Sequence, residues 1–167
     1  MTTIIDVPPE RYDECLEVLH AGFGTEAPEF GLTAANTPTN PAFWAPGEVA
    51  RVVARPAQLF AVEVDGRILG CAFVSPSRSE PGTWTLRHLA VRPEARHRGY
   101  GEALVAEGVS RARDGGALTL RIGIIGENTR LSSWYHRLGF VTVDAGQRYP
   151  GLVFSVDHLE LAIEAVA

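Results

Sequence analysis

A mixed α/β domain, with one central and mostly antiparallel sheet flanked by helices, is the fold class this sequence predicts. Three observations predict it. Stretches of strand-like and helix-like hydrophobic periodicity follow one another in the order β-α-(α)-β-β-β-α-β-α-β-β. The chain has 167 residues, 46% of them hydrophobic, which suits one respectable core and would leave two separate cores marginal. A glycine-bearing turn, Arg96 to Gly101, joins a strand directly to a helix.

The elements follow in order. Ile4–Val7 reads as a short first strand, and Pro8-Pro9 punctuates it. Glu10–Ala21 carries Tyr12, Cys15, Leu16 and Leu19 at helical spacing. From Gly22 to Pro46 come four prolines, three glycines and two asparagines, so a long connection is expected, with at most one helical turn. A short helix from about Gly47 to Ala54 ends before Pro56. Leu59–Val64, Asp65-Gly66 and Arg67–Val74 form a hairpin signature, because the turn needs backbone that glycine adopts freely.

A third strand-like run, Trp84–Val91, stops at Arg92-Pro93. Gly101–Arg113 places Leu104, Val105, Gly108, Val109 and Ala112 on one helical stripe, and Gly115-Gly116 ends it. Ala117–Ile125 is strand, Asn128–Leu138 is helix closed by Gly139, and Phe140–Val143 is strand. A last strand is expected over Leu152–Leu161. There is no internal repeat, so residues 1–167 read as a single domain.

Composition excludes several function classes. The net charge of −5 argues against nucleic acid as the main partner, since phosphate-tracking proteins carry a basic excess. All 15 basic residues are arginine. Two distant cysteines, Cys15 and Cys71, suit free buried thiols in a reducing compartment. The N-terminal Met1–Asp6 has no basic region followed by an apolar stretch, and no run approaches a membrane span. A soluble, cytoplasmic protein without membrane contact is the expectation, and no metal site is anticipated.

The turn Arg96-His97-Arg98-Gly99-Tyr100-Gly101 carries the chemistry. Glycines between a strand and a helix let backbone N–H groups face a ligand, with the helix N-terminus behind them, which suits phosphate or pyrophosphate. Each such contact contributes only ~0.3–1 kcal/mol, so several amides must act together. Two phosphate-binding readings fail. A dinucleotide fingerprint needs glycine where Leu104 stands, and a Walker loop needs a lysine, which the chain lacks.

A third reading fits. Arg96-x-x-Gly99-x-Gly101 resembles the [Gln/Arg]-x-x-Gly-x-[Gly/Ala] loop of the GNAT acetyltransferases. Upstream, Leu89-Ala90-Val91-Arg92-Pro93 resembles the family's strand ending in Leu-x-Val-x-Pro. Downstream, Asn128 stands seven residues before Tyr135, and Leu138-Gly139-Phe140 closes the helix as in the family's Asn-x6-Tyr-x3-Gly-Phe pattern. The resemblance is strongest over 86–144, about a third of the chain.

This resemblance implies an acetyltransferase-like fold, acetyl-CoA as co-substrate and a coenzyme A-binding core over about 84–145. Amides around Arg98, Gly99, Tyr100 and Gly101 would cradle the pyrophosphate, helped by the side chains of Arg96 and Arg98. Backbone groups of Leu89 and Val91 would pair with pantetheine almost as an added strand. An amide near Leu89 would polarise the thioester carbonyl. Asn128 would hold pantetheine, and Tyr135 would serve as the general acid at sulfur. Residue types alone leave other roles open: Asn128 suits a helix N-cap, and Tyr135 lies in the phase of Leu131 and Leu138 and suits the core.

The base is missing. An amine of pKa ~10.4 is neutral in only about one molecule in 10³ at pH 7, so a proton must be received. Family members place Glu or His at positions matching Thr85 or Arg87, and neither is a base. His88 is the candidate nearby, although strict alternation sends it to the opposite face, and only a bulge near Leu89 would return it. Arg87 would suit a carboxylate or phosphate on the acceptor, or a plain surface ion pair. Phe23, Phe30, Phe43 and Trp44, beside Glu26 and Glu29, would line a pocket for an organic cation or pin a loop to the core.

The expected activity is N-acetylation of a small-molecule amine by direct attack in a ternary complex. Alternatives are a protein or peptide N-acetyltransferase and a non-catalytic acyl-CoA-binding regulatory domain. A homodimer is left open.

Overall fold

The computed structural model describes residues 1–164. Seven strands form one sheet: β1 (Thr2–Asp6), β2 (Gln58–Val64), β3 (Arg67–Pro76), β4 (Thr83–Val91), β5 (Thr119–Ile125), β6 (Val141–Gln147) and β7 (Val156–Ala162). Their order across the sheet is β1-β2-β3-β4-β5-β7-β6. Four helices flank it: α1 (Tyr12–Glu29), α2 (Glu48–Val53), α3 (Tyr100–Asp114) and α4 (Thr129–Arg137). None of the described helices is long and apolar enough to cross a membrane.

The hairpin between β2 and β3 turns as its sequence dictates. Asp65 and Gly66 have φ of 50° and 81°, the paired left-handed geometry that matches strand twist. Every neighbouring pair in the sheet is antiparallel except β4 with β5, which is parallel because α3 returns the chain.

Strand alternation divides the apolar side chains between two layers. On one face, Cys15, Val18 and Leu19 of α1, with Val49 of α2, pack on Ala61, Cys71, Phe73 and Ala90. On the other, Leu104, Val105 and Ala112 of α3, with Tyr135 of α4, pack on Phe60, Val62, Val74, Leu86 and Leu120. Burial of this kind contributes ~25 cal/mol per Å2 and is what holds helices of modest intrinsic stability in place.

The one parallel pairing is short. Only Thr83↔Thr119, Trp84↔Leu120 and Thr85↔Arg121 join β4 to β5. Beyond them β4 runs on to Val91 and β5 to Ile125 without pairing, so the two strands leave a wedge open in the middle of the sheet.

Three boundaries differ from the expected ones. The first helix continues past Gly22 and Gly24 to Glu29, although glycine costs a helix about 1 kcal/mol relative to alanine. Packing explains Gly22: a Cβ there would lie 2.8 Å from the Ala90 Cβ, so only glycine lets α1 approach β4 this closely. The penultimate strand extends to Gln147, and all seven of its residues are exposed, so apolar patterning could not reveal its length. The last strand begins at Val156, because the chain around Leu152 turns before it enters the sheet.

Candidate functional site

The wedge, the glycine turn and the start of α4 meet at one place. Alternate backbone groups of β4 bond to β3, through pairs such as Gly70↔Val91 and Cys71↔Ala90. The remaining groups of Leu86–Val91 point into the wedge with no strand to receive them. Backbone N–H and C=O groups in that condition need a partner, from water or from an extended ligand.

At the mouth of the wedge the chain turns into α3. His97 and Gly99 have φ of 62° and 83°, so two left-handed residues flank Arg98 and turn successive amides inward. The first inward-bonded amide of the helix is Ala103, to Gly99 O at 3.0 Å, and the amides of the first turn before it have no intrahelical partner. A Cβ on Gly99 would meet no atom within 4 Å, so the space beside this turn is open. The helix dipole adds partial positive charge there. The turn therefore fits an anion such as a pyrophosphate, and the wedge fits an extended chain carrying amides. Coenzyme A combines the two.

Arg96 and Arg98 diverge. Arg98 is exposed, beside the turn. Arg96 reaches the opposite way, donating to Gly22 O at 3.1 Å and to Thr25 Oγ1 at 2.9 Å on α1. The sequence motif marks Arg96 for a phosphate, whereas the fold gives its guanidinium a second role in holding the helix.

Across the wedge, Asn128 is buried, and its side chain accepts from the Leu131 amide at 3.1 Å as the N-cap of α4. Its amide NH2 group is not consumed by that bond. Tyr135 lies one face inward, packed edge-on against Trp134 and Phe140 at centroid distances of 4.8 and 5.3 Å. Its hydroxyl has no hydrogen-bond partner among the described residues, yet no sealed-off unsatisfied polar side-chain atom exists among them. The hydroxyl thus opens onto accessible space. Burial, and then the Glu26 charge, push the phenol well above its ordinary pKa, so it is protonated at neutral pH.

The strand β4 is bulged. Phe73 pairs with Arg87 and Cys71 with Ala90, leaving His88 and Leu89 opposite a single residue. His88 takes φ of 53°, and the extra residue turns its ring to the α1 face, against strict alternation. There it packs edge-on with Trp44 at 4.7 Å and Phe73 at 5.6 Å. Burial, with a smaller push from the Arg87 charge, lowers its pKa to about 4, so the ring is neutral at pH 7 and a weak proton acceptor. Arg87 is exposed and has no ion-pair partner among the described residues.

The loop aromatics divide between structural contacts. Trp44 is buried, donates Nε1–H to Thr39 O at 2.8 Å, and its carbonyl meets His20 Nε2 at 2.8 Å. Phe30 and Phe43 pack on Ala27, Leu32 and Ile125. Glu26 faces Asn128, whereas Glu29 pairs with Arg130 of α4. Thus α1 is tied on one side of the wedge by Arg96 and on the other by Arg130. Sequence reasoning missed this strap because its signal, a helix running through two glycines, resembles a loop.

Residues 27–140 match the acetyltransferase (GNAT) family. An amino-acid acetyltransferase of Pseudomonas putida is 40% identical over 84 residues, which is 50% of this chain and 18% of that relative. The chain therefore spans less than a fifth of that relative's length. Among solved structures, the ribosomal-protein-S18-alanine N-acetyltransferase of Escherichia coli superposes with a TM-score of 0.76 at 18% identity, covering 100% of this chain and 96% of that one. The PaiA N-acetyltransferase of Thermoplasma acidophilum, in complex with coenzyme A, gives 0.73 at 16% identity, covering 97% and 99%. At such identities these two likenesses speak for the fold.

Proposed function

The chain belongs to the GNAT acetyltransferase family, enzymes that use acetyl-CoA, and we propose that it transfers the acetyl group to the primary amine of a small molecule by direct attack within a ternary complex. The observation that carries this reading is the wedge between β4 and β5, with unpaired strand edges ending at a turn of inward amides. Residues 1–167 act as one acetyltransferase domain, with 84–145 forming its coenzyme-binding core. The 40% identity with an amino-acid acetyltransferase supports a small-molecule acceptor over a protein one.

Each residue then has a task. Amides of Arg98, Gly99, Tyr100 and Gly101, with the Arg98 side chain, hold the pyrophosphate, and Arg96 steadies the turn through its bonds to α1. Backbone groups of Leu89 and Val91 align pantetheine, and Asn128 holds it from the other side through its side-chain amide. A backbone amide at the bulge near Leu89 donates to the thioester oxygen as negative charge develops there. Tyr135 supplies the proton to the leaving thiolate. His88, neutral at pH 7, stands on the acceptor side as a weak proton acceptor.

A panel of primary amines incubated with the protein and acetyl-CoA, with free CoA thiol as the readout, tests the reading. Thiol release that depends on one class of amine, with the acetylated amine recovered by mass spectrometry, is the expected result. Acetyl-CoA binding without thiol release for any amine would overturn it in favour of a binding domain.

A further inference from the structure

One carboxylate at the wedge has no part in the chemistry above. Glu26 sits on the last turns of α1, half-buried, between the strap points of that helix. Gly22, one turn earlier, is pressed onto Ala90 of β4, and Arg96 holds the carbonyl of Gly22 and the hydroxyl of Thr25. One turn later Glu29 is paired with Arg130 of α4. The helix segment between these ties is held on both sides, and it sets Glu26 beside Asn128 and within electrostatic reach of Tyr135.

Resting on the transfer reading above, we propose that Glu26 is the proton acceptor of the reaction, taking the proton of the acceptor's ammonium group directly or through one water. The groups that face it are Glu29 on its own helix, Arg96 from the glycine turn, and Asn128, Arg130 and Tyr135 from α4 and its cap. Burial raises its pKa most and Glu29 adds to this, while the Asn128 amide, Arg96 and Arg130 work the other way. The net movement is upward, towards working pH, which strengthens a base; His88 has moved in the opposite direction.

The protons balance. One leaves the ammonium for Glu26 and later passes to solvent. The free amine attacks the thioester carbon, the C–N bond forms, and the C–S bond breaks. The thiolate takes the Tyr135 proton, and the nitrogen of the new amide gives up its surplus proton to restore Tyr135. Glu26 also couples the two halves of this sequence. While ionised, it adds to the hold on the Tyr135 proton; once protonated, that contribution is gone as the thiolate departs.

The test compares wild type with Glu26→Gln, using acetyl-CoA and the amine that gives most thiol release. Wild-type kcat/KM is expected to be flat from about pH 7 to 9, because both the carboxylate and the ammonium are present throughout. The variant is expected to be at least about 100-fold slower at pH 7 and to gain about tenfold per pH unit, following the free amine. Its thermal shift with acetyl-CoA should equal that of wild type, which shows that fold and binding are intact. Equal profiles for the two proteins, a loss that is the same at every pH, or a wild-type profile that itself rises tenfold per unit would each overturn the assignment while leaving acetyl transfer standing. A wild type silent with every amine would overturn both.

Discussion

The Arg96 guanidinium of the glycine turn donates to Thr25 Oγ1 at 2.9 Å, so the turn that opens α3 is bonded to helix α1. A change on either side is felt by the other. In a double-mutant cycle of Arg96→Ala and Thr25→Val, we expect a coupling of about 0.5–1 kcal/mol, read from denaturant melts. Arg96→Ala should also shrink the thermal shift given by acetyl-CoA, and Thr25→Val should not. Additive effects would show that the bond contributes nothing in solution.

Gly99 tests backbone geometry separately from space. A Cβ there meets nothing within 4 Å, so the cost of Gly99→Ala is that of φ at 83°, about 1–2 kcal/mol. Because that Cβ enters the space assigned to pyrophosphate, the variant should fold and yet lose the shift given by acetyl-CoA. At 100 times its dissociation constant, the ligand stabilises wild type by ~2.7 kcal/mol. Calorimetric melts with and without acetyl-CoA measure both effects.

Tyr135→Phe removes a hydroxyl that has no protein partner among the described residues. Stability should therefore change by less than about 0.5 kcal/mol, in contrast with the usual cost of deleting a buried hydrogen bond. The kcat should fall on the order of 10²-fold, with little change in affinity for acetyl-CoA. An unchanged kcat under conditions where chemistry limits the rate would return Tyr135 to the core.

His88 makes stability depend on pH. Its folded-state pKa, about 4, lies below the ordinary 6.5, so the unfolded chain takes up the proton first as pH falls. Stability should drop between pH 6.5 and 4, by at most about 3 kcal/mol for this group, and be fully retained above that range. His88→Asn keeps a residue that tolerates positive φ and removes the titration, so its stability in urea should be flatter over this window. Equal slopes for the two proteins would show that the ring is open to water.

The parts of this fold that were legible in the sequence are those set by local chemistry. Asp65-Gly66 announces its hairpin, and Gly99 announces a left-handed turn, because few other residues adopt those angles. Asn128 was legible as a helix cap, and the fold uses it as one. What long-range packing decides was not legible. Gly22 reads as a helix breaker, yet it is the contact that seats α1 on Ala90 and carries Glu26 to the wedge. His88 reads as facing away, and one extra residue in β4 turns it round. Both depend on partners distant in the chain, which periodicity cannot register.

Among the described residues, three residue pairs, with the Leu118 and Thr119 amides bonded to Gly82 O just before them, form the backbone seam between a four-stranded half-sheet, β1–β4, and a three-stranded one, β5–β7. The two half-sheets share one apolar layer, in which Leu86 of β4, Leu104 of α3, and Leu120 of β5 belong to the same cluster. A ligand lying in the gap stitches the half-sheets by backbone bonds to one or both edges, whatever the side chains there happen to be. The same opening offers its strand edges to any extended backbone. A short strand-forming peptide or peptidomimetic is therefore a natural competitor for the pantetheine arm.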